Sequence, residues 1–171
     1  NAKYNEGFFR AKHILVSTLD EEGKPLEGDA LKEKKALAEE ILGKATPANF
    51  DSLVSEYSED PGSATNPDGY VFTEGEMVAE FEDATKALTI GGISGIVETS
   101  YGYHIILRLE LPTSPEDENY KNAMSSVQNE LIYEAISEMA ETLKGELTIV
   151  EHTEEIDALK EQAQKAFDSL T

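Results

Sequence analysis

The amino-acid sequence predicts an α+β fold, with an antiparallel sheet, surrounding helices and a mainly helical C-terminal extension. Three stretches carry that reading. Thr99 to Glu110 (T-S-Y-G-Y-H-I-I-L-R-L-E) opens on a turn signal and continues as a run of β-branched and aromatic residues. Its alternation puts Tyr103, Ile105 and Leu107 on one face and His104, Ile106 and Arg108 on the other. Far upstream, Lys12 to Val16 (K-H-I-L-V) is a second apolar strand that also opens on a histidine, His13. Paired side by side, the two strands would bring their imidazoles together. Beyond Pro115, apolar residues recur every three or four positions, the period of an amphipathic helix.

In order, residues 1–9 read as a polar lead-in, with Phe8 and Phe9 packing against the first strand, Ala11 to Ser17. Thr18 to Gly28 is a solvated loop. Ala30 to Leu42 is helical: Leu31, Leu37, Ala38, Ile41 and Leu42 trace one face, and Gly43 stands at the expected C-cap. Thr46-Pro47 reads as an N-cap with proline at the first helical position, opening a short helix that buries Phe50, Leu53, Val54 and Tyr57. Glu59 to Gly69 is a loop and Tyr70 to Phe72 a short strand. Val78 to Leu88 is a helix with Phe81, Ala84 and Leu88 inward. Gly91-Gly92 breaks it, and Ile96 to Thr99 is a strand leading into the final hairpin.

Pro112 to Pro115 marks the boundary of the extension. Tyr120, Met124, Val127, Leu131, Ala135, Met139 and Leu143 line a long helix stopped at Gly145. A short strand, Leu147 to Val150, and a further amphipathic helix, Ile156 to Leu170, complete the chain. The expected organisation is a lead-in over 1–10, an α+β domain over 11–111 and a helical extension over 112–171.

Lys and Arg number 14 against 35 Asp and Glu, a formal charge of −21. That argues against nucleic acid, which is bound by neutralising phosphates, and against docking on an anionic membrane through a basic patch. The absence of cysteine excludes disulfides, thiolate nucleophiles and cysteine metal sites, and fits an oxidising extracytoplasmic setting. No apolar run reaches the length of a membrane span. The start at Asn1-Ala2 reads as a tag scar on a fragment, so a signal or lipid-anchor segment would lie outside this stretch.

The two histidine strands, A-K-H-I-L-V and Y-G-Y-H-I-I, resemble the first and last strands of the parvulin family of peptidyl-prolyl cis-trans isomerases. Between them lie Tyr57-Ser58-Glu59-Asp60, then Gly75-Glu76-Met77 with Phe81 and Ala84, then Gly92-Ile93-Ser94 with Val97 and Thr99, in the family's order. The resemblance covers roughly Phe9 to Glu110 and implies a four-stranded parvulin-like sheet. It implies that His13, Asp60, Thr99 and His104 form the catalytic group and that Phe72, Met77, Phe81 and Tyr101 bind substrate. It also implies rotation about an X-Pro amide, which breaks no bond and needs neither metal nor cofactor. The expected substrates are proline-containing unfolded or nascent exported polypeptides. Family members that select phosphoserine-proline carry a basic cluster after the first strand. Here that loop holds Asp20, Glu21 and Glu22, so no phosphopeptide preference is expected. One departure stands out. Asn66-Pro67-Asp68-Gly69-Tyr70 replaces the usual G-G-D-L-G, so that Gly69 takes the place of a pocket leucine, implying a wider pocket or a lower activity.

Each residue has a plainer reading. A lone His13 or His104 is commonly a satisfied core histidine, and Met77 with Phe81 at i and i+4 is ordinary packing. Asp60 before Pro61-Gly62 is a good turn residue, and Ser58 is a cap rather than a nucleophile. His13, His104 and His152 lack zinc-ligand spacing. The expected function is a prolyl isomerase assisting the folding of exported proteins. The alternative is a non-catalytic chaperone or peptide-binding module with a degenerate isomerase domain. Its extension would belong to a chaperone lobe that folds back or pairs as a homodimer.

Overall fold

The run F-F-R-A-K-H-I-L-V-S forms one uninterrupted strand in the computed structural model, which describes residues 2–146 and 153–168. This strand, β1 (Phe8–Ser17), lies inside a four-stranded antiparallel sheet with β2 (Tyr70–Thr73), β3 (Val97–Thr99) and β4 (Gly102–Leu109), in the order β2-β1-β4-β3. Phe8 and Phe9 belong to β1 rather than packing against it, because they pair with Thr73 and Phe72 of β2. The residues before them, the polar lead-in of the sequence, are helical. They form α1 (Ala2–Gly7), whose Tyr4 is buried and donates its hydroxyl to Pro112 O at 2.8 Å.

Alternation in β1 and β4 divides the core in two. Ile14, Val16, Tyr103, Ile105 and Leu107 face α2 (Gly28–Lys44) and α3 (Phe50–Tyr57), which supply Ala38, Ile41, Phe50 and Leu53. On the opposite face, Ala11, Ile106 and Phe72 meet Phe81 of α4 (Ala79–Ala87). α4 is tied down by Arg108, whose Nη1 donates to Leu88 O at 2.6 Å and Lys86 O at 3.1 Å, a cation where the helix dipole favours one. The Gly92-Ile93-Ser94 turn is pinned to β4: Ser94 N donates to Ile106 O, and Ile106 N donates to the Ser94 hydroxyl.

Two helix ends differ from the expected ones. α2 runs through Gly43 to Lys44 and leaves at Ala45 in an extended conformation. α3 begins only at Phe50. The Asn49 side chain bonds back to Thr46 N at 2.7 Å and to Lys44 O at 2.9 Å, closing a turn where Thr46-Pro47 would have opened a helix. α5 (Glu118–Glu146) and α6 (Thr153–Asp168) form the extension. The expected strand Leu147 to Val150 lies outside the described residues, as does His152.

The chain divides into two compact units, Asn1–Asn129 and Glu130–Thr171. In the first, Ala123 and Val127 of α5 are buried with Tyr4. In the second, Leu131, Ile132, Tyr133, Ile136, Met139 and Leu143 of α5 are exposed. No described helix is long and apolar enough to cross a membrane.

Gly69 precedes β2 with φ +89°, and a Cβ there would stand 2.7 Å from Ala11 O on β1. Both the conformation and the approach of the two backbones require glycine. Gly69→Ala should therefore destabilise the domain by about 1–3 kcal/mol, the range for a strained backbone position. Urea unfolding measures this, and an unchanged midpoint would contradict it.

Candidate active site

β1 and β4 pair in antiparallel register, with His13 opposite Ile106 and Leu15 opposite His104. The two histidines are thus diagonal neighbours on the sheet face beneath α4. Their ring centroids lie 5.1 Å apart, and Phe81 meets both edge-on, at 5.2 Å from His13 and 5.7 Å from His104. Thr99, at the end of β3, places its hydroxyl 2.9 Å from His104 Nε2 and accepts from Tyr101 N at 3.1 Å. On the other side, Asp60 Oδ2 stands 3.5 Å from His13 Nε2. A line of polar groups therefore runs Asp60, His13, His104, Thr99 beneath the Phe81 ring of α4.

Asp60 ends the Tyr57–Asp60 motif and opens a 3-10 turn, Pro61–Ala64. Its carboxylate accepts from Gly62 N at 3.2 Å, from the Ser63 hydroxyl at 3.0 Å and from the Tyr70 hydroxyl at 2.6 Å. Burial alone would raise its pKa. The Tyr70 bond, the nearby His13 and the Gly62 and Ser63 donors outweigh that and hold the carboxyl below its usual range. Ser58 accepts from Leu15 N at 3.2 Å, which joins this loop to β1.

Burial lowers the pKa of both histidines. In His13 the Asp60 charge partly offsets it; in His104 burial and the neighbouring His13 together bring it down to about 4. Among the described residues neither Nδ1 has a hydrogen-bond partner. Both rings are accordingly neutral near pH 7.

Beside this line lies a cavity of roughly 460 Å³, lined by His13, Leu15, Asp60, Pro61, Tyr70, Glu76, Met77, Val78, Phe81, Tyr101 and His104. Met77, Phe81 and Tyr101 are on its wall. Phe72 is not. It is 1% exposed and sits behind Phe81, centroids 5.9 Å apart, so it supports the wall from within the core. Gly69 is not a truncated pocket leucine either, since its backbone leaves no space for a side chain. The wall there is made by Tyr70, one residue on.

Tyr70, Leu15, Val78 and Glu82 escaped the sequence reading. Glu82 is 5% exposed, and its Oε1 accepts from Gly75 N at 2.8 Å and Met77 N at 2.9 Å. It fixes the turn that presents Met77, and the Met77 amide leads the bonds that keep its carboxyl below the usual range. An acidic residue beside Phe81 on a helix carries no sign of this in the sequence. Leu15 and Tyr70 were legible in principle from the period-2 alternation through His13 and Phe72.

Neutral, buried histidines make a checkable statement about pH. An NMR titration should find His104 losing its neutral form only near pH 4, whereas a midpoint near 6.5 would contradict a dry site. The unfolded chain, with an ordinary histidine, binds that proton more readily between these values. Stability should therefore fall as pH drops from 6.5 toward 4, by on the order of 3 kcal/mol from this group.

The family described as the PPIC-type PPIASE domain, or rotamase, matches residues 13–110. Foldase protein PrsA of Geobacillus kaustophilus (strain HTA426) is 37% identical over 127 residues, which is 73% of this chain and 37% of that protein. Chaperone SurA of Chromohalobacter salexigens is 39% identical over 99 residues, 57% of this chain and 21% of that one. The isomerase Pin1 of Digitalis lanata is 36% identical over 112 residues, 58% of this chain and 93% of its own length. The crystal structure of PrsA from Bacillus subtilis aligns with 90% of this chain and 57% of its own, at 26% identity and TM-score 0.45. This chain thus spans 37% and 21% of those foldase and chaperone sequences and 57% of the PrsA crystal structure, while Pin1 is matched almost end to end. The histidine pair, the threonine and aspartate at its two ends and the apolar cavity all lie within or beside the matched stretch, and the chain belongs to the PPIC-type peptidyl-prolyl cis-trans isomerase family, the parvulins.

Proposed function

We propose that this chain catalyses cis-trans isomerisation of X-Pro peptide bonds in unfolded, exported polypeptides. The observation that carries the reading is the apolar cavity between Met77, Phe81 and Tyr101, set directly against two neutral histidines. A peptide bond before proline rotates over a barrier of roughly 18–20 kcal/mol because amide resonance is lost on the way. The twisted amide has less charge separation than the planar one. An apolar seat set against two neutral rings therefore favours it over the ground state, the difference that raises the rate.

The proline ring seats on Met77 and Phe81, with Tyr101 at the rim and Phe72 bracing Phe81 from behind. His13 and His104 supply a fixed hydrogen-bonding floor rather than a proton relay: Asp60 orients the first, Thr99 the second. No bond is made or broken, so the chemistry calls for no metal or cofactor. The loop after β1 carries Asp20, Glu21 and Glu22, and its one lysine, Lys24, is paired with Glu22, so it lacks a basic cluster to seat a phosphate and the substrates are unphosphorylated. The net charge of −21 speaks against nucleic acid as a partner. Likeness to proteins named foldase and chaperone, together with the absence of cysteine, supports an extracytoplasmic site of action; a lipid anchor on a longer parent protein belongs to the same proposal. The division into a lead-in over 1–10, an isomerase domain over 11–111 and an extension over 112–171 belongs to the same proposal, supported by the match to residues 13–110.

NMR exchange spectroscopy on Ala-X-Pro-Phe peptides tests the activity. Met77→Ala and Phe81→Ala should each slow exchange by about tenfold or more, the scale of a lost apolar pocket contact. A folded parent that accelerates exchange for no X would refute it.

A second reading rests on the exposed stripe of α5. Ile132 is 57% exposed, Ile136 60% and Met139 64%, a surface on which a chaperone function or a homodimer through the C-terminal helices would depend. Ile132→Lys with Ile136→Lys should abolish suppression of client aggregation, or shift sedimentation to the monomer, while peptide exchange stays at the parent rate. Unchanged suppression and mass would exclude that use of the stripe.

A further inference from the structure

We propose that Tyr70 is both a substrate-contacting wall of the proline cavity and the positioning residue for Asp60. The inference rests on the isomerase reading above and adds a residue that its motifs do not contain.

Three contacts converge on this side chain. Its ring lines the cavity together with Met77 and Phe81. The same ring stacks on His13, with centroids 5.6 Å apart and planes 29° from parallel. Its hydroxyl donates to Asp60 Oδ2 at 2.6 Å, the same oxygen that stands 3.5 Å from His13 Nε2. Tyr70 thus holds both members of the Asp60–His13 pair, one through its ring and one through its hydroxyl. A tyrosine serving the core alone would need neither contact. Burial, then the bond to Asp60, raises its own pKa, so it remains a neutral donor across the working range.

The backbone around it is cut to fit. A Cβ on Gly62 would lie 2.1 Å from the Tyr70 hydroxyl, so the absence of a side chain there opens the route to Asp60. Gly69, whose own position admits no side chain, delivers Tyr70 to the cavity wall. Where the family's leucine would supply only an apolar surface, Tyr70 supplies that surface together with a hydrogen bond.

The groups facing Asp60 are Tyr70 from β2, His13 from β1, His104 from β4 and Ser63 from the 3-10 turn. Removing the tyrosine hydroxyl takes away the strongest of the interactions that keep the carboxylate ionised. The Asp60 pKa then rises, and the low-pH fall in activity begins at higher pH.

The experiment is the pH profile of kcat and KM for X-Pro exchange in the parent, Tyr70→Phe and Gly62→Ala, with folding of each checked by NMR. Tyr70→Phe keeps the ring, so KM should change little. Its kcat should drop about tenfold, the scale of a hydrogen bond to a charged group, and its acid limb should move to higher pH. Gly62→Ala, which keeps the tyrosine but displaces its hydroxyl, should reproduce both effects. An active parent with Tyr70→Phe unchanged in kcat and profile overturns this inference alone. A parent without activity overturns the isomerase reading and, with it, any role for Tyr70 in that reaction.

Discussion

The register of β1 against β4 is the constraint on which the rest depends. With His13 opposite Ile106 and His104 opposite Leu15, both imidazoles fall on one face, diagonal to each other. A slip by one residue would turn one histidine into the α2/α3 core and bring Ile14 or Ile105 to the site, because side chains alternate with period 2. The end of the pairing is guarded by Gly102, where a Cβ would stand 2.3 Å from Val16 O. α4, held by Arg108, then roofs the pair with Phe81. The site is a by-product of how two strands must pair to bury Ile14, Val16, Ile105 and Leu107 on their far side.

The electrostatics divide sharply between surface and site. Asp and Glu outnumber Lys and Arg by 35 to 14 over the chain, yet the centre of the site is two uncharged rings. The carboxylates that do enter the interior are each committed to donors. Asp60 takes Tyr70, Ser63 and the Gly62 amide, and Glu82 takes the Gly75 and Met77 amides. Buried charge is tolerable where it is fully hydrogen-bonded. One carboxylate orients the polar floor of the cavity and the other shapes its apolar wall. Rotation about an amide asks for this combination, a rigid apolar seat against a neutral polar surface, and for no reactive group.

Much of the fold was legible because its signals are local. The alternation in Thr99 to Glu110 and the apolar run from His13 to Val16 marked two strands and the facing of their side chains. The periodic stripe from Tyr120 to Leu143 marked α5. The misread positions share a cause. Thr46-Pro47 looks like a helix start until Asn49 closes the turn with its side chain. The segment before Phe8 reads as a polar lead-in, and only the fold brings its Tyr4 to Ala123 and Val127, more than a hundred residues away. Gly69 looks like a lost leucine until the Ala11 carbonyl is found where a Cβ would go.

By itself the sequence determined the α+β class, the strands that carry His13 and His104, the motifs around Asp60, Met77 and Thr99, and the acidic, cysteine-free character of the chain. These follow from residue type and period alone. Tertiary structure decided which aromatic residues line the cavity and which stand behind it, so that Phe72 withdraws and Tyr70 enters. It decided that Glu82 serves Met77, and that both histidines are neutral. Those outcomes turn on distances of a few ångströms between segments remote in the chain, and on the solvent that packing removes. Neither is encoded in any single stretch of residues.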